Sequence, residues 1–290
     1  MPEIHPLSFV DPKAEIADDV EVGPFSYVGA GVRLGPGTRL LHHVSIVGRT
    51  TVGARNTFYP FCSIGAEPQD VSYRGEDTRT VIGDGNTFRE CVTVHRATMK
   101  ERQVTSIGSR GLFMACCHIA HDCIVEDDVI LANGVLLGGH VHVESCAVFG
   151  GASVVHHFAT IGRLAFVGGM TRVARDVPPY MVYEGNPPKV WMVNKVGCAR
   201  RGIPPASIEQ LKRAHRLLFR TDMTWEEAFG ELLAHPECCD EVRYLVDFLR
   251  RTGGGVRGRA REAMRASWGR PEGGVAGSSV PLEEEQGAGD

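Results

Sequence analysis

Histidines in the middle of the chain recur at a spacing that would let them act together. His121 lies about 18 residues before His140, which lies about as far before the pair His156 and His157, and His118 comes three residues before His121. An imidazole that is buried needs polar partners, so a column of histidines is hard to explain by packing. We therefore interpret these histidines as functional, with decoration of an exposed surface as the alternative.

A carboxylate directly follows one of these histidines, since Asp122 comes after His121. A carboxylate beside an imidazole can fix its tautomer and raise its basicity, which suits a general base that works near neutral pH. Neighbouring side chains often diverge, so the pairing depends on the backbone that carries them.

That backbone is predicted by a six-residue repeat. Apolar residues recur at every sixth position, and a glycine often follows them, as turns require. A period of six fits neither a helix nor an amphipathic strand, and predicts short parallel strands joined at tight corners, with three faces and 18 residues per coil. The inward positions are Ile4, Val10, Ile16, Val22, Val28, Leu34, Leu40, Ile46, Val52, Phe58, Ile64, Ile82, Phe88, Val94, Ile107, Phe113, Ile119, Val125, Leu131, Leu137, Val143, Phe149, Val155, Ile161, Val167 and Val173.

The repeat predicts a mainly β fold, a parallel β-helix with the shape of a triangular prism, over residues 1–190. Residues 66–81 and 95–106 interrupt the repeat, are rich in charged and turn-forming residues, and are predicted to project as loops. Charged loops on a rigid scaffold are good candidates for binding.

A small C-terminal α-helical domain is predicted over residues 191–252, where apolar residues fall at helical spacing and Thr224 with Glu227 forms a capping-box pattern. Residues 253–290 are rich in glycine, arginine and glutamate, and we expect them to be disordered. An arginine-rich stretch within them, residues 257–270, could contact an acidic partner or remain solvated.

Composition excludes some classes of protein. The net charge of −4 argues against a general nucleic-acid binder, and no apolar run is long enough to cross a bilayer, so we expect no stable membrane insertion. The first twelve residues lack the basic end and apolar core of a secretory signal, so a cytoplasmic location is expected. The nine cysteines have no framework spacing and are expected to be reduced and mostly buried.

Residues 115–123, Ala-Cys-Cys-His-Ile-Ala-His-Asp-Cys, resemble the His-Ile-Ala-His-Asp-Cys signature of the UDP-N-acetylglucosamine O-acyltransferase family. The resemblance runs to about residue 250 and implies a left-handed prism. It implies transfer of an (R)-3-hydroxyacyl chain from acyl carrier protein to the 3-hydroxyl of UDP-N-acetylglucosamine, in the first step of lipid A biosynthesis. Other matching motifs are Ser63-Ile-Gly65, Gln69-Asp70, Gly75-Glu-Asp-Thr-Arg79, Glu90-Cys-Val-Thr-Val-His95-Arg96, Gly139-His140, Asp176-Val-Pro-Pro-Tyr180, Gly185-Asn186 and Arg200-Arg201-Gly202.

The resemblance also implies catalytic roles. His121 would be the general base, Asp122 would orient it, and the backbone N–H of Gly139 would stabilise the oxyanion. No acyl-enzyme, cofactor or metal is implied, since the acyl group arrives on the phosphopantetheine arm of the carrier protein. Cys116, Cys117 and Cys123 would then be packing residues.

Substrate-binding residues follow from the same resemblance. Ser72 stands where better-known members carry a loop lysine, His157 replaces a glutamine, and Val196 replaces a glutamate of some members, so these contacts may be rearranged. An acyl chain longer than ten carbons is expected. The implied residues are Asp70, His118, His140 and His157 for the sugar end, Asn194, Arg200, His156 and Arg201 for the nucleotide, and Gly169 for the acyl chain.

Family members are trimers with active sites between prisms, so a homotrimer is expected. Acyl carrier protein is strongly acidic, so basic residues near the cleft should guide it. Candidates for this contact are Arg163, Arg172, Arg175 and Lys189.

Three other functions remain open. The first is an acyltransferase for a different sugar nucleotide, or for a 3-amine in place of the 3-hydroxyl. The second is a zinc enzyme on the same prism, such as a γ-type carbonic anhydrase, for which Cys117, His118, His121 and Cys123 superficially suggest ligands. The third is a scaffold without catalytic activity.

Overall fold

The computed structural model describes residues 1–262 of the 290-residue chain. Short strands wind around three parallel sheets, so that each coil adds one strand to each sheet. We call the sheets faces A, B and C in the order in which the chain meets them, and corners A–B, B–C and C–A lie between them. The predicted parallel β-helix is confirmed.

The strands within each face are given in spatial order. Face A contains β1 (Glu3–Ile4), β4 (Glu21–Val22), β7 (Arg39–Leu40), β10 (Thr57–Phe58), β13 (Thr87–Phe88), β16 (Leu112–Phe113), β19 (Ile130–Leu131), β22 (Val148–Phe149), β25 (Phe166–Val167), β27 (Met181–Gly185) and β28 (Pro188–Val193). Face B contains β2 (Phe9–Val10), β5 (Tyr27–Val28), β8 (Ser45–Ile46), β11 (Ser63–Ala66), β14 (Thr93–His95), β17 (His118–Ile119), β20 (Leu136–Leu137), β23 (Val154–Val155) and β26 (Arg172–Val173). Face C contains β3 (Glu15–Ile16), β6 (Arg33–Leu34), β9 (Arg49–Val52), β12 (Arg79–Ile82), β15 (Val104–Ile107), β18 (Ile124–Val125), β21 (His142–Val143) and β24 (Thr160–Ile161).

The predicted inward positions form the core of the prism. All are buried except those of the first coil, Ile4, Val10 and Ile16, which have no coil beneath them. On face A the rings of Phe58, Phe88 and Phe113 stack on one another at 4.7 and 4.8 Å between centroids. Because each buried side chain contributes about 1.5–3 kcal/mol before the entropy cost, these ladders hold the coils in register.

The two loops are shorter than predicted. They comprise residues 67–78 and 96–103, because the flanking residues extend the strands of faces B and C. Residues 79–82 pair with residues 49–52 on one side and with residues 104–107 on the other. The buried Thr80 of this strand lies between Thr50 and Thr105, so alternating burial continues into sequence that reads as polar.

A hairpin and four helices follow the prism. The strand β27 pairs in parallel with β25 and antiparallel with β28, so face A continues past the prolines that were predicted to end it and past the predicted boundary at residue 190. The three predicted helices and the Thr224–Glu227 capping box are confirmed, while α1 was not predicted. The helices are α1 (Lys195–Arg200), α2 (Pro205–Phe219), α3 (Trp225–Leu233) and α4 (Asp240–Gly253).

The prediction of disorder from residue 253 is wrong for its first part. After α4, residues 257–262 return to the prism and form ion pairs and hydrogen bonds with it. Buried carboxylates on the prism that need partners explain this order. The rest of that prediction, residues 263–290, lies outside the described residues. Within residues 1–262, no helix has the length and apolar character needed to cross a membrane.

Candidate active site

Two adjacent columns of side chains run along corner B–C. The His140 N–H donates to the His121 carbonyl at 3.0 Å, and the Phe158 N–H donates to the Gly139 carbonyl at 3.1 Å. Prediction had placed His140 in the column of His121, but it lies one residue further along the corner, because the two histidines are 19 residues apart. The columns are His121, Gly139 and His157 in one, and Asp122, His140 and Phe158 in the other, where all three residues have φ near +60°.

The predicted pairing of His121 with Asp122 is present. Nδ1 of His121 lies 2.9 Å from Oδ2 of Asp122, and that same oxygen accepts from the Thr98 N–H at 3.0 Å and from the Thr98 hydroxyl at 2.6 Å. An ionised carboxylate only accepts, so Nδ1 carries a hydrogen and, in the neutral ring, Nε2 carries the lone pair. Nε2 faces the cleft, 3.9 Å from Oδ2 of Asp70.

Asp70, from the loop 67–78, is fixed by the second loop. Its carboxylate forms an ion pair with Lys100 and accepts from the Ser72 N–H at 2.8 Å and from the Ser72 hydroxyl at 2.6 Å. Burial by itself would raise the pKa of Asp70, but the hydrogen bonds from Lys100 and Ser72 outweigh it and hold the pKa well below its usual range. Asp70 therefore stays ionised beside His121.

Gly139 lies beneath the imidazole of His121. A Cβ at residue 139 would lie 2.5 Å from Cε1 and 2.7 Å from Nε2 of that ring, so only glycine leaves the ring in this position. Among the hydrogen bonds within residues 1–262, none uses the N–H of Gly139. That donor is therefore available to a ligand oxygen.

His140 and His157 complete the cleft wall. Nδ1 of His140 donates to Oε2 of Glu101 at 3.0 Å, and the ring stacks on Phe158 at 4.5 Å. Nε2 of His157 donates to Glu262, and burial lowers the pKa of His157 despite the opposing effect of this partner. His156 packs on His157 with 3.9 Å between ring centroids, on the side away from the cleft lining.

A second pair of histidines lies on face B. His118 shares a hydrogen bond of 2.7 Å with the Thr93 hydroxyl, and its ring meets that of His95 at 4.9 Å. Burial, followed by the charge of His121, lowers the pKa of His118, and burial lowers the pKa of His95 to about 4. His95 belongs to a motif used in the sequence analysis but was not predicted as a site residue.

These groups enclose a cleft of about 310 Å³. Three of its residues were not predicted. Gln69 and Val71 flank Asp70 in sequence and could have been found by extending that motif, while Phe158 is marked by its place 18 residues after His140. The lining residues are Gln69, Asp70, Val71, His121, Gly139, His140, His157 and Phe158.

The predicted nucleotide-binding residues lie elsewhere in the chain. Asn194 caps α1, since its Oδ1 accepts from the Gly197 N–H at 3.0 Å and its Nδ2 donates to the Leu164 carbonyl at 2.9 Å. Arg201 pairs with Asp128 at 3.2 Å on corner C–A, and Arg200 is exposed in the last turn of α1. Within one chain they do not share the cleft at corner B–C.

The predicted acyl-chain residue also lies on another corner. Gly169 is exposed at corner A–B, where a Cβ would lie 3.3 Å from the Gly151 carbonyl oxygen. Cys116, predicted to pack, is exposed at the same corner. Gly169 and the histidine columns therefore lie at opposite edges of face B.

Two side-chain groups could hold a metal ion. The ligand atoms of His121, Asp122 and His140 lie within 4.8 Å of one another, and so do those of His156, His157 and Glu262. The four-ligand zinc site considered from the sequence is not formed. The thiols of Cys117 and Cys123 point into the prism, where each donates to a backbone carbonyl at 3.1 Å, away from the ring of His121.

Known proteins resemble this chain over most of its length. Residues 176–259 match the family model described as "Udp N-acetylglucosamine O-acyltransferase; Domain 2". The acyl-[acyl-carrier-protein]--UDP-N-acetylglucosamine O-acyltransferase of Syntrophobacter fumaroxidans is 44% identical over 88% of this chain and 99% of its own length. The solved UDP-N-acetylglucosamine O-acyltransferase of Moraxella catarrhalis is 40% identical and superimposes with a TM-score of 0.84 over 88% of this chain and 98% of its own. A solved relative from Acinetobacter baumannii is 37% identical, with a TM-score of 0.83 over 86% and 97% of the two chains.

Proposed function

The chain belongs to the UDP-N-acetylglucosamine O-acyltransferase family, and on that premise we propose that His121 is the general base that transfers an (R)-3-hydroxyacyl group from acyl carrier protein to the sugar 3-hydroxyl. The reaction is the first step of lipid A biosynthesis. The observation that carries the proposal is the hydrogen bond between His121 and Asp122, which leaves Nε2 free at the cleft.

The reaction begins with a proton transfer. Nε2 of His121 takes the proton of the 3-hydroxyl as that oxygen attacks the thioester carbonyl carbon. The imidazolium that forms lies between Asp122, at 2.9 Å from Nδ1, and Asp70, at 3.9 Å from Nε2. Both carboxylates stabilise this positive charge, and they do so strongly because little water reaches them.

The negative charge forms on the carbonyl oxygen. We assign its stabilisation to the N–H of Gly139, which makes no other hydrogen bond among residues 1–262. When the tetrahedral intermediate collapses, the C–S bond breaks and the thiolate takes the proton from Nε2 of His121. This cycle balances without an acyl-enzyme, a cofactor or a metal ion.

The sugar would occupy the cleft, with its hydroxyls on Asp70, His140 and His157, and with His118 behind the base on face B. Loop residue Ser72 replaces a family lysine, and Lys100 of the other loop provides the cation beside Asp70 instead. The acceptor is UDP-N-acetylglucosamine in this proposal. Its 3-amino analogue is the alternative that the assay below distinguishes.

The nucleotide and acyl ends require a second chain. Arg200, Arg201 and Asn194 lie near corner C–A, whereas the cleft lies at corner B–C, so a neighbouring prism must bring its helical unit to this cleft. We therefore propose a cytoplasmic homotrimer with three equal sites between prisms. Gly169, which has no side chain to block a neighbouring groove, would leave room for an acyl chain longer than ten carbons. Arg163, Arg172, Arg175 and Lys189 are the proposed contacts for acyl carrier protein.

The test is an acyl-transfer assay with purified protein. UDP-N-acetylglucosamine and its 3-amino analogue are offered with 3-hydroxyacyl carrier proteins of graded chain length, beside the variants His121→Ala and His42→Ala. The His121 variant should lose at least about 100-fold in kcat, the usual contribution of a general base, while exposed His42 at corner A–B serves as a control. Undiminished ester formation by the His121 variant would refute the assignment of the base.

A further inference from the structure

The C-terminal strap, which we define as residues 257–262, lies along corner B–C beside the cleft. The family model matches residues 176–259, so Arg261 and Glu262 lie beyond it. The strap crosses from the end of α4 to the loop 96–103, and it contacts both columns of the site. These contacts point to a role in the reaction for a segment outside the matched region.

Its first half is an anchor built on buried carboxylates. The Arg259 N–H lies 3.1 Å from both carboxylate oxygens of Asp176, and the Arg257 guanidinium lies 3.7 Å from buried Glu144. Gly258 has a φ of +80°, and a Cβ there would lie 2.2 Å from Oδ2 of Asp176. A glycine is therefore required for the strap to approach this carboxylate.

Its second half contacts the wall of the cleft. Arg261 donates from Nη1 to Oε1 of Glu101 at 3.0 Å and from Nη2 to the His140 carbonyl at 3.2 Å. The other carboxylate oxygen of Glu101 accepts from Nδ1 of His140 at 3.0 Å. The Arg261 guanidinium also lies over the ring of Phe158, 5.4 Å from its centroid. A continuous chain of contacts therefore runs from the strap to the His140 ring.

The next strap residue contacts the other column. Glu262 pairs with Nε2 of His157 and with Arg259, which itself donates to the His157 carbonyl at 3.0 Å. Two of the cleft's histidines are therefore fixed from behind by adjacent strap residues.

We propose that Arg261 is a positioning residue, which acts through Glu101 to hold the His140 ring against the sugar nucleotide. The inference rests on the proposed function, in which His140 binds the sugar. Glu101 is in a loop and has a flexible side chain, so without Arg261 it can adopt other rotamers and His140 loses its fixed partner. A misplaced binding group costs affinity for the substrate that it contacts, while leaving the other substrate unaffected.

The experiment uses the full-length protein with the variants Arg261→Ala, Arg261→Lys, Glu101→Gln and the double variant of Arg261→Ala with Glu101→Gln. The matched control is Arg213→Ala, which breaks an ion pair of 2.7 Å with Glu231 between α2 and α3, far from corner B–C. KM for UDP-N-acetylglucosamine, KM for the acyl carrier protein substrate, kcat and Tm are measured for each variant.

Arg261→Ala should raise KM for the sugar nucleotide about tenfold and leave KM for the carrier protein within about twofold. Arg261→Lys should recover part of the loss. The double variant should be no worse than Glu101→Gln, because the two residues act through one contact. Values within twofold of wild type for Arg261→Ala, equal effects on both substrates, or additive losses in the double variant would each overturn the proposal.

Two further outcomes keep the test decisive. If Arg261→Ala lowers Tm more than Arg213→Ala does, the Glu101→Gln variant decides, and normal kinetics in it would overturn the proposal. Failure of the proposed function is seen separately, as acyl transfer that survives His121→Ala.

Discussion

Gly139→Ala should abolish most activity while leaving the fold intact. The new Cβ would lie 2.5 Å from Cε1 of His121, whereas ordinary contacts begin at about 3.4 Å. The neighbour that must move is the imidazole, because the backbone of residue 139 is fixed by the coils on either side. The ring must therefore shift by about 1 Å, which breaks its 2.9 Å hydrogen bond to Asp122.

A displacement of about 1 Å in a reacting group costs about 100-fold in rate, which corresponds to about 2.7 kcal/mol in activation free energy. The loss should appear in kcat, measured with saturating sugar nucleotide and acyl carrier protein. The substituted residue lies outside the apolar core, so Tm should change little.

The matched control is Gly29→Ala, on the same face of the prism. Its Cβ would meet nothing closer than 3.5 Å, so activity and Tm should stay near wild type. A kcat for Gly139→Ala within about threefold of wild type would refute the reasoning, because it would mean that His121 does not act from the position seen here.

Three other substitutions test the surroundings of the site. Lys100→Met removes the main partner that lowers the pKa of Asp70, so the acid limb of the pH profile of kcat/KM should move to higher pH; an unchanged limb would separate Asp70 from catalysis. Burial lowers the pKa of His95 to about 4, so stability is fully present above its unfolded value near 6.5 and falls by up to about 3 kcal/mol as the pH drops towards 4. His95→Gln should flatten this dependence in urea unfolding at graded pH, and an equally steep curve would contradict it. Phe88→Ala should cost about 3–5 kcal/mol in unfolding free energy, because the stack loses its middle ring, whereas half-exposed Val81→Ala should cost far less.

The prism was predictable because its physics is periodic. One apolar residue at each sixth position is needed to fill a narrow core, so the pattern in the sequence and the ladder in the structure are the same set of residues. The period also brought His121, Gly139 and His157 to one corner. It misplaced His140 by one residue, since the left-handed backbone of the corner separates residues 121 and 122 into different columns.

The partners of the site histidines were not predictable in this way. Thr98, Lys100 and Glu101 lie in a loop without a period, so no count from the sequence aligns them with Asp122, Asp70 and His140. Arg261 is more than 100 residues from Glu101 in the chain, and its composition-based expectation was disorder. What those residues share is a charge or hydroxyl that satisfies a buried group, which only coordinates reveal.

Both loops leave the prism at the end of one strand and re-enter at the next rung without disturbing it. The scaffold can therefore lengthen or shorten only in whole turns of the winding, whereas the loops can accept insertions of any size. The vertical distance between His121 and Gly139 is fixed by the hydrogen-bonded backbone and cannot be tuned by small deletions. Changes in acceptor preference among relatives should consequently accumulate in the loops and the strap, and changes in the distance between base and oxyanion donor should be absent.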